Sequence, residues 1–392
     1  MNQEKKGFVL SIIVFSQFCG TSLWFAGNAI IPVVQDIYQW SASSVGHLTS
    51  AVQFGFISGT LLYAFFGFSD RFSPSKVFFV SSMLAALANL WCLVELSSFE
   101  LMLYSRVLTG FFLAGIYPVG MKIAADWNEG GLGNWLGVLV GALVLGTAFP
   151  HALSFQSAYI NPVILLLIVS ALALIGGLLV LLLIKNGPYR KAGTNFSFRA
   201  VTQAFRLPAF NAPALGYFGH MWELYAFWAF VPWILLKYQQ IHKVDINTSF
   251  LAFIIIASGM LGCIVGGIVS IKKGSKWVAN VALFSSAACC LLALYMWNMP
   301  VFIFITFLCF WGFMVVADSP QFSALIAQNA PAHLRGSAIT MSTCIGFAIT
   351  IVSIQLFNFL QEIISYQYLL SFMSIGPLLG IYALNKNYQT HA

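Results

Sequence analysis

The sequence predicts an all-α membrane protein made of two six-helix halves. Three observations carry that reading. The chain is 60% hydrophobic and 7% charged over 392 residues, with a mean hydropathy of +0.87. A soluble domain carries about 25% charged residues, so this chain cannot cover a water-facing surface. It holds twelve apolar runs, each near the about 20 residues that cross a bilayer. Its lysines and arginines gather in alternate connections between those runs, the pattern of a multi-pass protein.

In order, the runs cover 8–33, 45–67, 76–95, 99–124, 134–155, 160–184, 209–236, 247–271, 277–297, 300–326, 337–360 and 364–384. The first follows MNQEKKG and is too long for a signal-peptide core. It also lacks a small-residue cleavage site, so it reads as a span. SQFCG, Ser16 to Gly20, is a poor lipid-attachment signal because Phe18 precedes Cys19. The one long polar stretch, KNGPYRKAGTNFSFRAVTQAFRLP at 185–208, separates an N-terminal bundle, 1–184, from a C-terminal bundle, 209–392. It reads as a cytoplasmic linker with a short amphipathic helix over Phe198 to Phe205.

Orientation follows from the basic residues. With the N-terminus cytoplasmic, the inner segments hold Lys5, Lys6, Arg71, Lys76, Lys185, Arg190, Lys191, Arg199, Arg206, Lys272, Lys273, Lys276, Arg335 and Lys386, and the outer ones only Lys237 and Lys243. Both termini are therefore expected inside. The net charge of +7 reflects this bias, and no nucleic-acid partner is expected. The seven cysteines all fall in apolar runs, with no CxxC pair and no histidine at zinc spacing. They read as small buried side chains, and neither metal nor cofactor is expected.

The two halves read as copies. A shift of 200 places Phe18 on Phe218, Ala26 on Ala226, Ala29 on Ala229, Pro32 on Pro232, Gly67 on Gly267 and Ser75-Lys76 on Ser275-Lys276. A shift of 202 places Gly110 on Gly312 and Pro118 on Pro320. Six spans per copy keep the orientation, so these are parallel repeats. Gly55, Gly59, Gly110, Gly259, Gly262 and Gly266 offer small-residue faces for close helix contact. Pro32, Pro118, Pro150, Pro232 and Pro320 are expected to kink spans.

Local motifs add a resemblance. GFSDRFSPSK, Gly67 to Lys76, RVLTGFFLAG, Arg106 to Gly115, and PAHLRGSA, Pro331 to Ala338, resemble the second-loop, fourth-span and tenth-loop motifs of the major facilitator superfamily. Ser73 stands where the family's loop usually has its second glycine. The fifth span carries Gly137, Gly141, Gly146 and Pro150 but lacks the Gly-Pro pair of the family's antiporters, so drug/proton antiport is not supported. The resemblance implies two pseudo-symmetric six-helix bundles around a central cavity lined by spans one, four, seven and ten.

Helical phase sets polar and aromatic stripes on three of those spans. Gln17, Thr21, Trp24 and Asn28 share a face of span one. Tyr217, His220, Leu224 and Trp228 line span seven beside Glu223, and Trp311, Met314, Asp318 and Gln321 line span ten. With Arg106, Tyr117 and Lys122 of span four, these residues are the candidate solute contacts. His151 after Pro150 is a further one. Glu223 and Asp318 are the acids placed well inside spans, where a charge costs about 2.5–3.5 kcal/mol on insertion scales. His220 is an imidazole, a side chain that serves in proton relays. Glu223, Asp318 and His220 are therefore candidates for proton coupling. The alternative is a structural role for Glu223, hydrogen-bonded to His220 or to a neighbouring tryptophan.

Arg106 and Lys122 lie sixteen residues apart, about 24 Å along a helix, so they cannot share one depth. Either attracts an anionic solute. The competing readings are packing of Arg106 on backbone carbonyls and snorkelling of Lys122 beside Asp126. Asp70, Arg71 and Arg335 are expected to act as a cytoplasmic gate. His47, His242, His333 and His391 read as surface residues. Trp40, Trp91, Trp127, Trp277 and Trp297 read as interfacial, while Trp24, Trp222, Trp228 and Trp311 lie deep.

The expectation is a monomeric secondary transporter of the bacterial inner membrane. It moves a small polar solute, with an anion favoured, by alternating access coupled to a proton or sodium ion, as a symporter. The alternatives are an efflux permease for amphipathic compounds and a non-transporting sensor on the same scaffold. No GxxxxGK[ST], HExxH or GxSxG is present, so neither a nucleotide-driven pump nor an intramembrane enzyme is expected.

Overall fold

Lipid offers no partner to backbone N–H and C=O groups, so spanning segments satisfy them internally as helices. The computed structural model of the chain describes residues 3–41, 43–128, 132–154, 161–190, 196–331 and 335–386. Lys191, His333 and His391 lie outside the described residues. Two compact units emerge, Met1–Phe196 and Ser197–Ala392.

The first unit holds α1 (Gln3–Thr21), α2 (Ala26–Tyr38), α3 (Ser44–Phe66), α4 (Phe68–Arg71), α5 (Pro74–Trp91), α6 (Phe99–Leu113), α7 (Tyr117–Asp126), α8 (Leu132–Leu153) and α9 (Pro162–Leu183). The second holds α10 (Phe198–Phe205), α11 (Pro208–His242), α12 (Thr248–Lys273), α13 (Ser275–Met296), α14 (Val301–Ala317), α15 (Ser319–Asn329), α16 (Arg335–Ile363), α17 (Tyr366–Leu369) and α18 (Ile375–Lys386). Among the described residues, eleven segments are long and apolar enough to span. The twelfth expected span is α11, which is 35 residues long but carries His220, Glu223 and many aromatic residues. The chain is a multi-pass membrane protein. The short helix expected over Phe198 to Phe205 is α10, which packs Phe205 on Phe210 and Phe218.

Four expected spans are broken. The run 8–33 divides into α1 and α2 around Ser22–Phe25, 99–124 into α6 and α7, 300–326 into α14 and α15 at Asp318, and 364–384 into α17 and α18 around the tighter turn Leu370–Ser374. Pro118 and Pro320 sit in the first turns of α7 and α15, where a missing N–H costs nothing and a preceding helix must stop. The first span breaks differently from expectation, because Pro32 lies inside α2. There the Thr21 hydroxyl donates to the Gln17 carbonyl at 2.8 Å and the Ser22 hydroxyl to the Cys19 carbonyl at 2.7 Å. Such bonds to the preceding turn compete with the helical ladder. Pro150, Pro213 and Pro232 likewise lie inside helices.

Helix boundaries follow local chemistry. Ser98, Asn161 and Asn247 accept from the first-turn N–H groups of α6, α9 and α12, as N-caps do. Gly67 ends α3 at φ +60°, a left-handed conformation that favours glycine.

Each unit contains the same close crossing. A Cβ on Gly110 of α6 would overlap the Val52 carbonyl of α3, and one on Gly55 the Val107 carbonyl. In the second unit, Gly312 of α14 meets the Ile255 carbonyl of α12, and Gly262 the Phe313 carbonyl. Glycine at these points lets two backbones approach directly, and dispersion then replaces the side chains that would separate them.

Candidate functional site

Polar groups buried in apolar helices require partners, so the partners define the candidate sites. Each unit holds one such core.

In the second unit the core is built on α11. Glu223 is 1% exposed. Its Oε1 accepts from Trp311 Nε1 of α14 at 2.6 Å and from Cys290 Sγ of α13 at 3.2 Å, and its Oε2 accepts from Ser286 Oγ at 2.9 Å. His220 does not pair with Glu223, although a spacing of three sets them side by side. His220 Nδ1 instead lies 2.8 Å from Asp318 Oδ1, both side chains 1% exposed. Its Nε2 makes no hydrogen bond among the described residues. Tyr217 and Phe322 flank the imidazole, with ring centroids 6.1 and 6.0 Å away. Trp311 also packs against Phe227 with tilted rings, centroids 4.6 Å apart, which fixes the indole that holds Glu223. Trp228 and Gln321 are buried. Tyr217, His220, Glu223, Trp311 and Asp318 are thus brought together.

The first-unit core surrounds the break in the first span. Arg106 of α6 is 1% exposed. Its Nη2 donates to Asn89 Oδ1, a short contact, and to Ser105 Oγ at 3.4 Å, while Nη1 donates to the Leu23 carbonyl at 3.4 Å. Asn89 in turn donates to Ser170 Oγ at 2.8 Å. No carboxylate pairs with Arg106 among the described residues, and its Nε makes no hydrogen bond there. Gln17 and Gln53 are fully buried, with both carboxamide atoms unpartnered among the described residues. Trp24 packs against Phe56 with tilted rings, centroids 4.9 Å apart, and Asn28 donates to Thr49 Oγ1 at 2.7 Å. Gln17 lies in α1, Trp24 in the break and Asn28 in α2, so the single regular helix expected to align them is interrupted. Tyr117 opens α7 and is half-buried.

Lys122 is not part of that core. It pairs with Asp70, the two side chains 22% and 30% exposed. Arg190 Nη2 donates to the Asp70 and Phe72 carbonyls, each at 2.9 Å. Trp127 Nε1 donates to the Lys185 carbonyl and the Tyr189 N–H to that of Asp126. The segment after α9 is thereby fastened across this end of the unit. Arg71 and Arg335 are exposed. His151 is buried, its Nε2 unpartnered among the described residues.

Sequence reasoning missed Asn89, Gln53, Ser286 and Cys290. The available signal was their polarity inside apolar runs: Ser286 and Cys290 lie four apart, on one face of α13. Among the described residues, no cluster of three histidine, cysteine or acidic side chains is set to hold a metal.

Comparison with known proteins agrees with this architecture. No curated protein matches the chain. Among solved structures, the human organic anion transporter MFSD10 (TETRAN) is similar, with a TM-score of 0.73 at 14% identity over 96% of this chain and 99% of that one. The model of the Major Facilitator Superfamily matches residues 13–354. With most of its length covered, the chain belongs to the major facilitator superfamily of transporters.

Proposed function

We propose that this transporter moves a small polar solute, preferentially an anion, across a bacterial inner membrane by alternating access, with a proton as the coupling ion. The observation that carries the reading is the core around α11: Glu223, His220 and Asp318 are three titratable groups held out of water within one unit. Intramembrane groups of this kind are costly and mark ion or proton pathways. Glu223 has neutral donors only, so taking up a proton breaks no ion pair. His220 and Asp318 offer a second exchange site in contact with each other.

The anion preference rests on Arg106. Its guanidinium is buried without a carboxylate among the described residues, and the same unit buries the amides of Gln17 and Gln53, unpartnered among those residues. Unsatisfied buried polar atoms cost about 1–3 kcal/mol each, which a bound carboxylate or phosphate offsets. The human neighbour carries the fold alone, because its identity is 14%. The Lys122–Asp70 pair and the Arg190 contacts suit a gate whose breakage shifts the balance of conformations. Bundles at 1–184 and 209–392 are joined by a cytoplasmic linker at 185–208, with both termini inside and a monomer as the working unit.

The test is flux into proteoliposomes loaded with a pH-sensitive dye. Carboxylates, phosphates and neutral metabolites are first screened for thermal stabilisation of the purified protein. A transported anion should carry protons inward, and an imposed pH gradient should drive its accumulation. Transport indifferent to the gradient overturns proton coupling, and transport of neutral solutes alone overturns the anion preference.

A further inference from the structure

A groove of about 500 Å³ opens at one end of the second unit, lined by Lys273, Lys276, Trp277, Asn280, Val281 and Phe284. It begins at the turn between α12 and α13. Below that turn, Trp277, Val281 and Phe284 fall on one face of α13, and they are 49%, 37% and 68% exposed. Eight residues separate Lys276 from Phe284, so the groove runs about 12 Å down the helix. Its mouth is cationic and its length is apolar.

The charge distribution is one-sided. Helix directions within the unit place Arg199, Arg206, Lys272, Lys273, Lys276, Arg335 and Lys386 at this same end. The unit's four acids lie elsewhere: Glu223 and Asp318 are in the core, and Asp245 and Glu362 are at the opposite helix ends. Asn280 leaves little room for a second polar ligand, because its Nδ2 donates to the Lys276 carbonyl at 3.0 Å and its Oδ1 accepts from Asn385 at 2.6 Å. That second bond ties α13 to α18 and sets Lys386 close by. The N-terminus of α13, 22 residues long, adds a favourable dipole for an anion at the same height.

A ligand that matches this surface needs an anionic head for the lysines and an acyl chain for the exposed apolar face. We propose that the groove is a binding site for an anionic membrane phospholipid, its phosphate on Lys273 and Lys276 and one acyl chain along Trp277, Val281 and Phe284. Basic pockets at the cytoplasmic ends of membrane helices take lipid headgroups through this combination, and exposed tryptophan suits the interfacial depth. The first unit has a smaller counterpart of about 300 Å³, lined by Tyr63, Phe68, Phe72, Lys76, Val77, Val80 and Ser81. Lys76 holds the repeat position of Lys276, but this groove has one lysine, and Asp70 stands at the same end of the unit. It serves as an internal comparison.

The experiment is native mass spectrometry of the purified protein exchanged into micelles with phosphatidylglycerol or phosphatidylcholine, together with tryptophan quenching by brominated-chain forms of each lipid. Each lysine is expected to contribute about fivefold to anionic-lipid affinity, so Lys273→Gln/Lys276→Gln should weaken phosphatidylglycerol retention about 25-fold. Phosphatidylcholine binding should be unchanged, and Lys76→Gln should cost no more than about fivefold. The quenching that brominated phosphatidylglycerol produces should fall in Trp277→Phe. Unchanged thermal unfolding of the double variant separates lost binding from lost fold. Equal retention of the two lipids, or a double variant that retains phosphatidylglycerol like the parent, overturns the proposal. Complete displacement of the lipid by millimolar inorganic phosphate also overturns it, because the site would then recognise the free anion.

Discussion

Replacing Glu223 separates a structural role from a proton-carrying one. Its carboxylate accepts three hydrogen bonds, from Trp311, Cys290 and Ser286. In Glu223→Gln, the amide oxygen takes the place of Oε1 and keeps the indole and thiol donors. The amide nitrogen faces the Ser286 hydroxyl, which accepts by turning its own hydrogen to the Leu283 carbonyl, already 3.2 Å away. The three former donors all keep partners and only the second amide N–H gains none, so the stability loss should be about 1 kcal/mol, at the low end of the range for an orphaned donor. In Glu223→Leu, Ser286 keeps Leu283, but the Trp311 N–H is stranded in a dry core. One orphaned donor costs about 1–3 kcal/mol. Thermal unfolding in detergent should therefore order the variants as parent > Gln > Leu. Transport driven by a pH gradient should collapse in both, because neither side chain exchanges a proton. A Gln variant that unfolds as early as Leu would mean that the charge itself holds the helices together. A Gln variant that still accumulates solute against the gradient would remove Glu223 from coupling.

Three further outcomes follow from the packing. Gly110→Ala and Gly312→Ala each drive a methyl into a carbonyl of the crossing helix and should destabilise by about 1–3 kcal/mol, whereas Gly7→Ala meets open space; equal unfolding temperatures for Gly110→Ala and the parent would refute the close crossing. Asp70 and Lys122 are 30% and 22% exposed, so a double-mutant cycle on Asp70→Asn and Lys122→Gln should return about 0.2–1 kcal/mol. Turnover should change more than solute affinity, and untouched kinetics would reduce the pair to surface decoration. Arg106→Lys loses the fork that reaches Asn89 and Leu23 together and should cost about 1.5–3 kcal/mol in unfolding free energy; the loss should be non-additive with Asn89→Ala, and simple additivity would break the network.

The spans were legible because burial in lipid demands long apolar runs, and that demand leaves few alternatives. The breaks were half legible. Pro118 and Pro320 announce theirs, but Pro32 misdirects: α2 carries it, and the chain turns ten residues earlier, where hydroxyls of Thr21 and Ser22 fold back on the preceding turn. A hydroxyl in a span does this only when its surroundings permit, and those surroundings come from distant helices. Partner choice was the least legible feature. Spacing of three suggested a His220–Glu223 pair; the other reading, a tryptophan on a neighbouring span, holds with Trp311, 88 residues away, while Ser286 and Cys290, 63 and 67 residues away, went unforeseen. For Lys122 the near acid was Asp126, while the contact is Asp70, 52 residues back. Cys290 read as a small apolar filler because a thiol's donor role depends on what faces it.

The buried charges differ in what holds them, and the difference bears on function. Arg106 reaches the Leu23 carbonyl at the unwound turn Ser22–Phe25, where the helix has released acceptors. Asp318 sits at the break before α15, the end of a helix dipole that favours negative charge, with His220 against it. In both places the backbone is already polar, and an ionised side chain costs less than in a regular helix. Glu223 has no such help. It lies inside the continuous helix α11, between Pro213 and Pro232, and it depends on side chains that two other helices supply. Apolar residues in place of Glu223 and its three donors together would relieve three helices of polar atoms, as replacing whole buried ionic groups often does. Fold stability therefore gives no reason for a carboxyl at that point, whereas exchange of a proton at mid-helix does.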